Sequence, residues 1–198
     1  MELNKNLVNK IKSELKKFNM PKSKKKIFYE LCFCVLVANN NLERTLNIWN
    51  KLKNCFLNCD KKLLSKKLKQ AGYRFYNKRA EYIVYNKKFF NILPEKIKRL
   101  NEYELRDWLV KNLKGIGYKE ASHFLRNLGF KDFAILDRHI LRFLYKNKII
   151  KEIPKNLSKK IYLEIEDKFK KFAKKLNLNP AELDFYIFYL EKGCFPLK

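Results

Sequence analysis

Apolar residues recur every three to four positions along most of the chain, the spacing that gives a helix one oily face. Leu3, Leu7, Val8, Ile11, Leu15 and Phe18 mark the first stripe, which ends near Pro21. A second helix is predicted from about Ser23; Phe28, Leu31, Cys32, Val35 and Leu36 make it core on nearly every side. The run Asn39-Asn40-Asn41 breaks it and can cap the next helix, striped by Leu42, Thr45, Leu46, Trp49 and Leu52. Asp60 caps a lysine-rich helix that Gly72 closes. Another helix runs from Arg74 to about Phe90, and Pro94 opens a short one. Asn101 with Glu104 makes a box-like start for a helix through Leu113. Beyond Lys114-Gly115-Ile116-Gly117-Tyr118-Lys119 a helix reaches Gly129. Asp137 caps a helix over 138–147, and Ser158 a long basic helix to Leu176. Asn179-Pro180 followed by Glu182 starts the last helix, which Gly193 ends. About ten helices and no strand predict an all-α fold.

Composition narrows this picture. Hydrophobic residues are 46% of 198, which a packed core needs and a disordered chain lacks. Only 5 Gly and 5 Pro are present, too few turns for a β-sandwich or barrel. No 18 apolar residues run together and the first residues are polar, so neither a membrane span nor a signal peptide is expected. The five cysteines (Cys32, Cys34, Cys55, Cys59, Cys194) form no C-x-x-C pair, and the C-terminal third holds one, too few for an iron–sulfur or zinc site. Cys32 and Cys34 read as buried thiols of a reducing cytosol. Lys and Arg number 46 against 20 acids, a charge of +26. A polyanionic partner accounts for such an excess. With 38 Lys against 8 Arg, lysine-rich drift accounts for it too.

Gly115 and Gly117 sit between two helices, the signal of a helix–hairpin–helix turn. Such a turn shows unpaired backbone N–H groups to a phosphate oxygen, and glycine lets the phosphate come close. Alone, the pair also fits an ordinary tight turn. The wider string Leu113-Lys114-Gly115-Ile116-Gly117-Tyr118-Lys119, followed by Leu136-Asp137-Arg138-His139, resembles the helix–hairpin–helix DNA glycosylases. The resemblance implies that Lys119 is the nucleophile, that Asp137, 18 positions on, assists it, and that His139 contacts phosphate. Chain geometry allows the pairing. A helix from Lys119 to Leu128 climbs about 14 Å, and residues 129–136 can stretch roughly 26 Å on the way back. A free amine can attack the sugar C1′ as the damaged base departs and form an imine, while a carboxylate stabilises cationic character and moves protons. Separately, Lys119 reads as one surface lysine among 38 and Asp137 as a helix cap.

Further segments look like the second, mainly archaeal branch of 8-oxoguanine glycosylase/AP lyases. They are Val37 to Arg44, Ala71 to Arg74, Arg74 to Val84 and Gly115 to Asn127; the resemblance covers roughly residue 25 onward. It implies one glycosylase unit over 1–198. A central helical subdomain spans about 30–130 with the hairpin at 114–119, and a second comprises 1–29 plus 131–198, with a cleft between. By position, Asn39, Arg44 and Arg74 would hydrogen-bond the cytosine opposite the lesion, and Tyr73 would fill the gap in the stack. The plainer alternative makes the asparagines a cap and the arginines phosphate binders. Asp184 would accept from a guanine edge, with Phe188 stacking on the base and His123 covering its other face. Phe188 also reads as ordinary core. Where parts of the family carry Gln and Trp, this chain has Asp184 and Phe188. Lys198 ends the chain as a lysine ends that branch, and would help read the base; a frayed terminus is the alternative.

The implied activity is excision of 8-oxoguanine from double-stranded DNA, then strand nicking by β-elimination. No cofactor is required, though the carbonyls of residues 114–117 could hold a cation. A monomeric cytoplasmic, DNA-associated protein of archaeal or bacterial origin is expected. A glycosylase for oxidised pyrimidines and a non-catalytic hairpin module are the rivals. The first needs no guanine-edge acceptor and the second no amine–carboxylate pair.

Overall fold

The computed structural model describes residues 3–19 and 23–195, and every regular element in them is helical. In chain order the helices are α1 (Lys5–Lys16), α2 (Lys24–Val37), α3 (Leu42–Leu52), α4 (Cys55–Asn58), α5 (Lys61–Gln70) and α6 (Tyr76–Asn86). Then come α7 (Ile92–Arg99), α8 (Glu102–Asn112), α9 (Tyr118–Asn127), α10 (Arg138–Lys146), α11 (Lys159–Lys175) and α12 (Pro180–Lys192). Short 3-10 turns extend α1 and α6. The capping grammar explains most boundaries. Asn41, Asp60, Asp137 and Ser158 each accept a backbone N–H with the side chain. Reciprocal capping boxes close Asn101–Glu104 and Asn179–Glu182. Gly193 ends α12 in the left-handed region, where a side chain would be strained.

The described residues divide into two compact units, 23–124 and 3–19 with 125–195. The first is built on α2, whose residues from Ile27 through Leu36 are all buried. Trp49 of α3 donates its indole N–H to the Tyr29 carbonyl at 2.9 Å and meets Phe33 edge-on. Leu64 and Leu68 of α5 and Ala80 and Ile83 of α6 extend this core. In the second unit Leu7, Ile11 and Leu15 of α1 cluster with Ala181, Phe185 and Tyr186 of α12. The leucine, isoleucine and phenylalanine side chains each contribute about 1.5–3 kcal/mol on burial, and a lone 12-residue helix would not hold in water without them. The buried stretch 133–136 is pinned by α11: Glu166 accepts the Ala134 N–H, and the Tyr162 hydroxyl donates to the Ala134 carbonyl at 2.6 Å. That anchoring delivers Asp137 to the start of α10.

Three local readings change. Pro94 lies inside the first turn of α7 rather than opening it. The helix expected from Arg74 begins at Tyr76. Residues 55–58 form α4, too short to show a periodicity, and Cys55 and Cys59 at its ends are joined by a disulfide. Cys32 and Cys34 are buried thiols outside the disulfide, and burial pushes the Cys32 thiol well up. Among the described residues no helix is long and apolar enough to cross a membrane.

Candidate functional site

The hairpin is held from beneath by α6. Leu113 closes α8, and the next residue, Lys114, has both backbone groups engaged by one side chain. Asn86, 1% exposed, accepts the Lys114 N–H at 2.9 Å and donates to its carbonyl at 3.0 Å. Gly115 then adopts φ +76°, and a Cβ there would come within 2.4 Å of the Tyr82 ring. Conformation and space both demand glycine at this point. Gly117 is the residue before α9, where the Ala121 N–H meets its carbonyl. Its own N–H donates to Glu120 Oε2 at 3.3 Å. Lys119 is the second residue of α9, and its Nζ stands 3.5 Å from Glu120 Oε1, the two side chains 26% and 19% exposed. Tyr118 is fixed by a hydroxyl bond to Asp107. Cations gather beside the turn: the Lys88 and Lys114 ammonium groups lie 3.8 and 4.5 Å from the Tyr85 ring centre. The Lys88 hydrogen bond and both charges hold the Tyr85 phenol below its ordinary range. His123, one turn beyond Lys119, meets Phe33 edge to face at 6.0 Å.

In the other unit, Asp137 caps α10: its Oδ1 accepts the N–H groups of His139 and Ile140, both at 2.9 Å. These two hydrogen bonds from the helix N-terminus fix the direction of the carboxyl group. His139 pairs through Nδ1 with Glu191 of α12. Asp184 is held by Arg126 at 3.1 Å, side chains 13% and 6% exposed, and Phe185 lies 4.8 Å below that guanidinium. The guanine-edge acceptor expected at Asp184 is therefore already committed through Oδ2 to a buried cation, a partner 58 positions away that local spacing does not reveal. Phe188 is half-buried and is not part of the α1–α12 cluster that Phe185 joins. Lys198 lies outside the described residues.

The loops expected to read the opposite base lie in the first unit. Asn39 is exposed with φ +58°, while Asn41 is the cap of α3. Arg44 is exposed and donates to the Gly72 carbonyl. Tyr73 corrects the expectation. It is 2% exposed, and its hydroxyl donates to the Leu36 carbonyl. A ring so tied into the core cannot fill a gap in a base stack in this conformation. Its neighbour Phe75 is half-buried, with the Arg74 guanidinium 4.4 Å from its ring and Arg79 at 5.9 Å. The string Ala71-Gly72-Tyr73-Arg74-Phe75 contains two aromatics, and nothing in their spacing marks which faces out. Among the described residues no three of His, Cys, Asp and Glu gather as a metal site.

Comparison with known proteins agrees along the chain. Residues 8–178 match the profile of an 8-oxoguanine DNA glycosylase family (Ogg-HhH). The chain is 49% identical over 189 residues to the 8-oxoguanine DNA glycosylase/AP lyase of Methanocaldococcus jannaschii, covering 96% of this chain and 91% of that one. Against the Thermotoga maritima protein of the same name identity is 41% over 187 residues, with 94% and 90% covered. A crystal structure of the M. jannaschii glycosylase/lyase in complex with 15mer DNA containing 8-oxoguanine matches with TM-score 0.89 and 48% identity, over 98% of this chain and 93% of that one.

Proposed function

The chain belongs to the 8-oxoguanine DNA glycosylase family, and from that premise we propose that it excises 8-oxoguanine from duplex DNA and nicks the strand at the abasic site. The observation that carries the reading is Lys119, the second residue of a helix that follows a glycine hairpin backed by Asn86 and Tyr82. The hairpin grips a backbone phosphate and so delivers the adjoining deoxyribose. The Lys119 amine attacks C1′. The C1′–N9 bond breaks, its electron pair leaves on the base, and the base takes up a proton. The sugar ring opens to an imine between C1′ and Nζ. Loss of a proton from C2′ then expels the phosphate from C3′, and water releases the lysine. Asp137, oriented by two helix N–H groups, stabilises the cationic sugar and relays these protons.

For the base, Phe188 supplies a stacking ring. Asp184 supports Phe188 by fixing α12 through Arg126. Arg44 and Arg74 are the donors suited to cytosine O2 and N3. Phe75 replaces Tyr73 as the ring for the vacated stack.

The test is borohydride trapping on a duplex with 8-oxoguanine opposite cytosine. Wild-type protein forms a covalent adduct, and Lys119→Gln forms none. Asp137→Asn slows single-turnover cleavage by about 10²–10⁴-fold with duplex binding retained. No adduct from the wild type leaves a binding module, and faster excision of an oxidised pyrimidine moves the substrate to that class.

A further inference from the structure

Glu120 touches both halves of the machinery just described. Its Oε2 accepts the N–H of Gly117, a donor that a hairpin offers to phosphate. Its Oε1 stands 3.5 Å from the Lys119 ammonium. One carboxylate thus occupies the phosphate donor and tethers the nucleophile. A third observation makes the arrangement specific to glycine: a Cβ on Gly117 would press on Glu120 Oε2 at 3.3 Å, so the missing side chain leaves room for an anion at that N–H.

We propose that Glu120 is a positioning residue that stands in for the DNA phosphate in the free protein and holds Lys119 in the bound one. This rests on the assignment of Lys119 as nucleophile. An arriving phosphate displaces Oε2 from the Gly117 N–H, because two anions cannot share one donor. The carboxylate then remains on Lys119 alone and keeps the amine directed. Glu120 therefore weakens binding to any duplex while speeding the chemical step. A residue that only caps α9 would act in the opposite sense on binding and leave the chemistry alone.

The experiment compares wild type with Glu120→Gln, Glu120→Asp and Glu81→Gln. Glu120→Asp keeps the charge but shortens the side chain by one methylene, too short to span Gly117 N–H and Lys119. Glu81→Gln removes a carboxylate near the hairpin, paired with Lys78 and Lys114, without touching either group. Two quantities are read: affinity for an undamaged duplex, which needs no chemistry, and the single-turnover rate of borohydride-trapped adduct at saturating 8-oxoguanine DNA. Thermal unfolding confirms that each variant is folded. Both Glu120 variants are expected to bind the undamaged duplex several-fold tighter and to form adduct about tenfold more slowly, the scale of one charged hydrogen bond. Glu81→Gln is expected to leave the adduct rate unchanged. If Glu120→Asp behaves as wild type, only charge matters and the proposal fails. If both variants bind more weakly and melt earlier at an unaltered rate, Glu120 is a cap, and the proposal fails again. A wild-type protein that forms no adduct would instead sink the assignment of Lys119, and the affinity comparison would still report on Glu120.

Discussion

Tyr73 and Phe75 are two positions apart and do opposite work. The Tyr73 ring is buried with its hydroxyl on the Leu36 carbonyl, whereas Phe75 is half-buried between two guanidinium groups. Tyr73→Phe removes one buried hydrogen bond and should cost about 1 kcal/mol at neutral pH with cleavage unaltered. Phe75→Ala should spare stability and slow excision. Unfolding and single-turnover assays on the two variants separate these outcomes. Tyr73 also gives a pH signature. Burial raises its phenol above the ordinary 10.0, with Arg79 opposing. The folded protein therefore keeps this proton where the unfolded chain releases it. The resulting stability is complete below about pH 10 and is lost as pH climbs toward the folded value. Melting temperature measured from pH 8 to 11 should fall less steeply in Tyr73→Phe than in wild type. The sequence does not mark which ring turns inward, because that choice depends on a carbonyl 37 positions upstream.

At the scale of the element, the hairpin depends on α6 as much as on its own glycines. Gly115→Ala meets two obstacles, a Cβ 2.4 Å from the Tyr82 ring and a φ of +76°. The double variant with Tyr82→Ala removes only the first. Gly115→Ala should lower the melting temperature and duplex affinity, and Tyr82→Ala should rescue part of the loss. A residue of about 1 kcal/mol should remain for the left-handed backbone. Full rescue would show that space alone dictates the glycine. Asn86→Leu would strand two Lys114 backbone groups at once, each worth about 1–3 kcal/mol if left unpaired. Its effect should exceed that of Asn86→Asp, which keeps the acceptor. The glycines and the lysine behind them are visible in the sequence because their conformational demands are local. Asn86 is not, since it reaches Lys114 from 28 positions away across a helix packing that no local pattern encodes. The same reason hides Arg126 from a reading of Asp184, whereas Asp137 is evident as a cap because its partners lie two and three residues on.

For the whole molecule, the +26 charge has two explanations, partner binding and lysine-rich drift, and they predict different salt behaviour. Cations that contact phosphates release condensed counterions, so affinity falls steeply with salt. A protein with 6–10 such contacts loses about 10³–10⁵ in affinity between 50 and 200 mM. Cations spread by drift over surfaces that never meet DNA add only a weak long-range term, screened over about 7–14 Å at these salts. The cations beside the hairpin, Lys88 and Lys114 around Tyr85, favour the first explanation locally. Binding of an undamaged duplex measured across this salt range should give a log–log slope of at least about 5. Replacing Lys114 by Ala should then reduce the slope by about 1, while replacing Lys171 of α11, which pairs with Asp167, should leave it alone. A shallow slope indifferent to both substitutions would make most of the charge compositional and leave the hairpin contacts to supply the affinity.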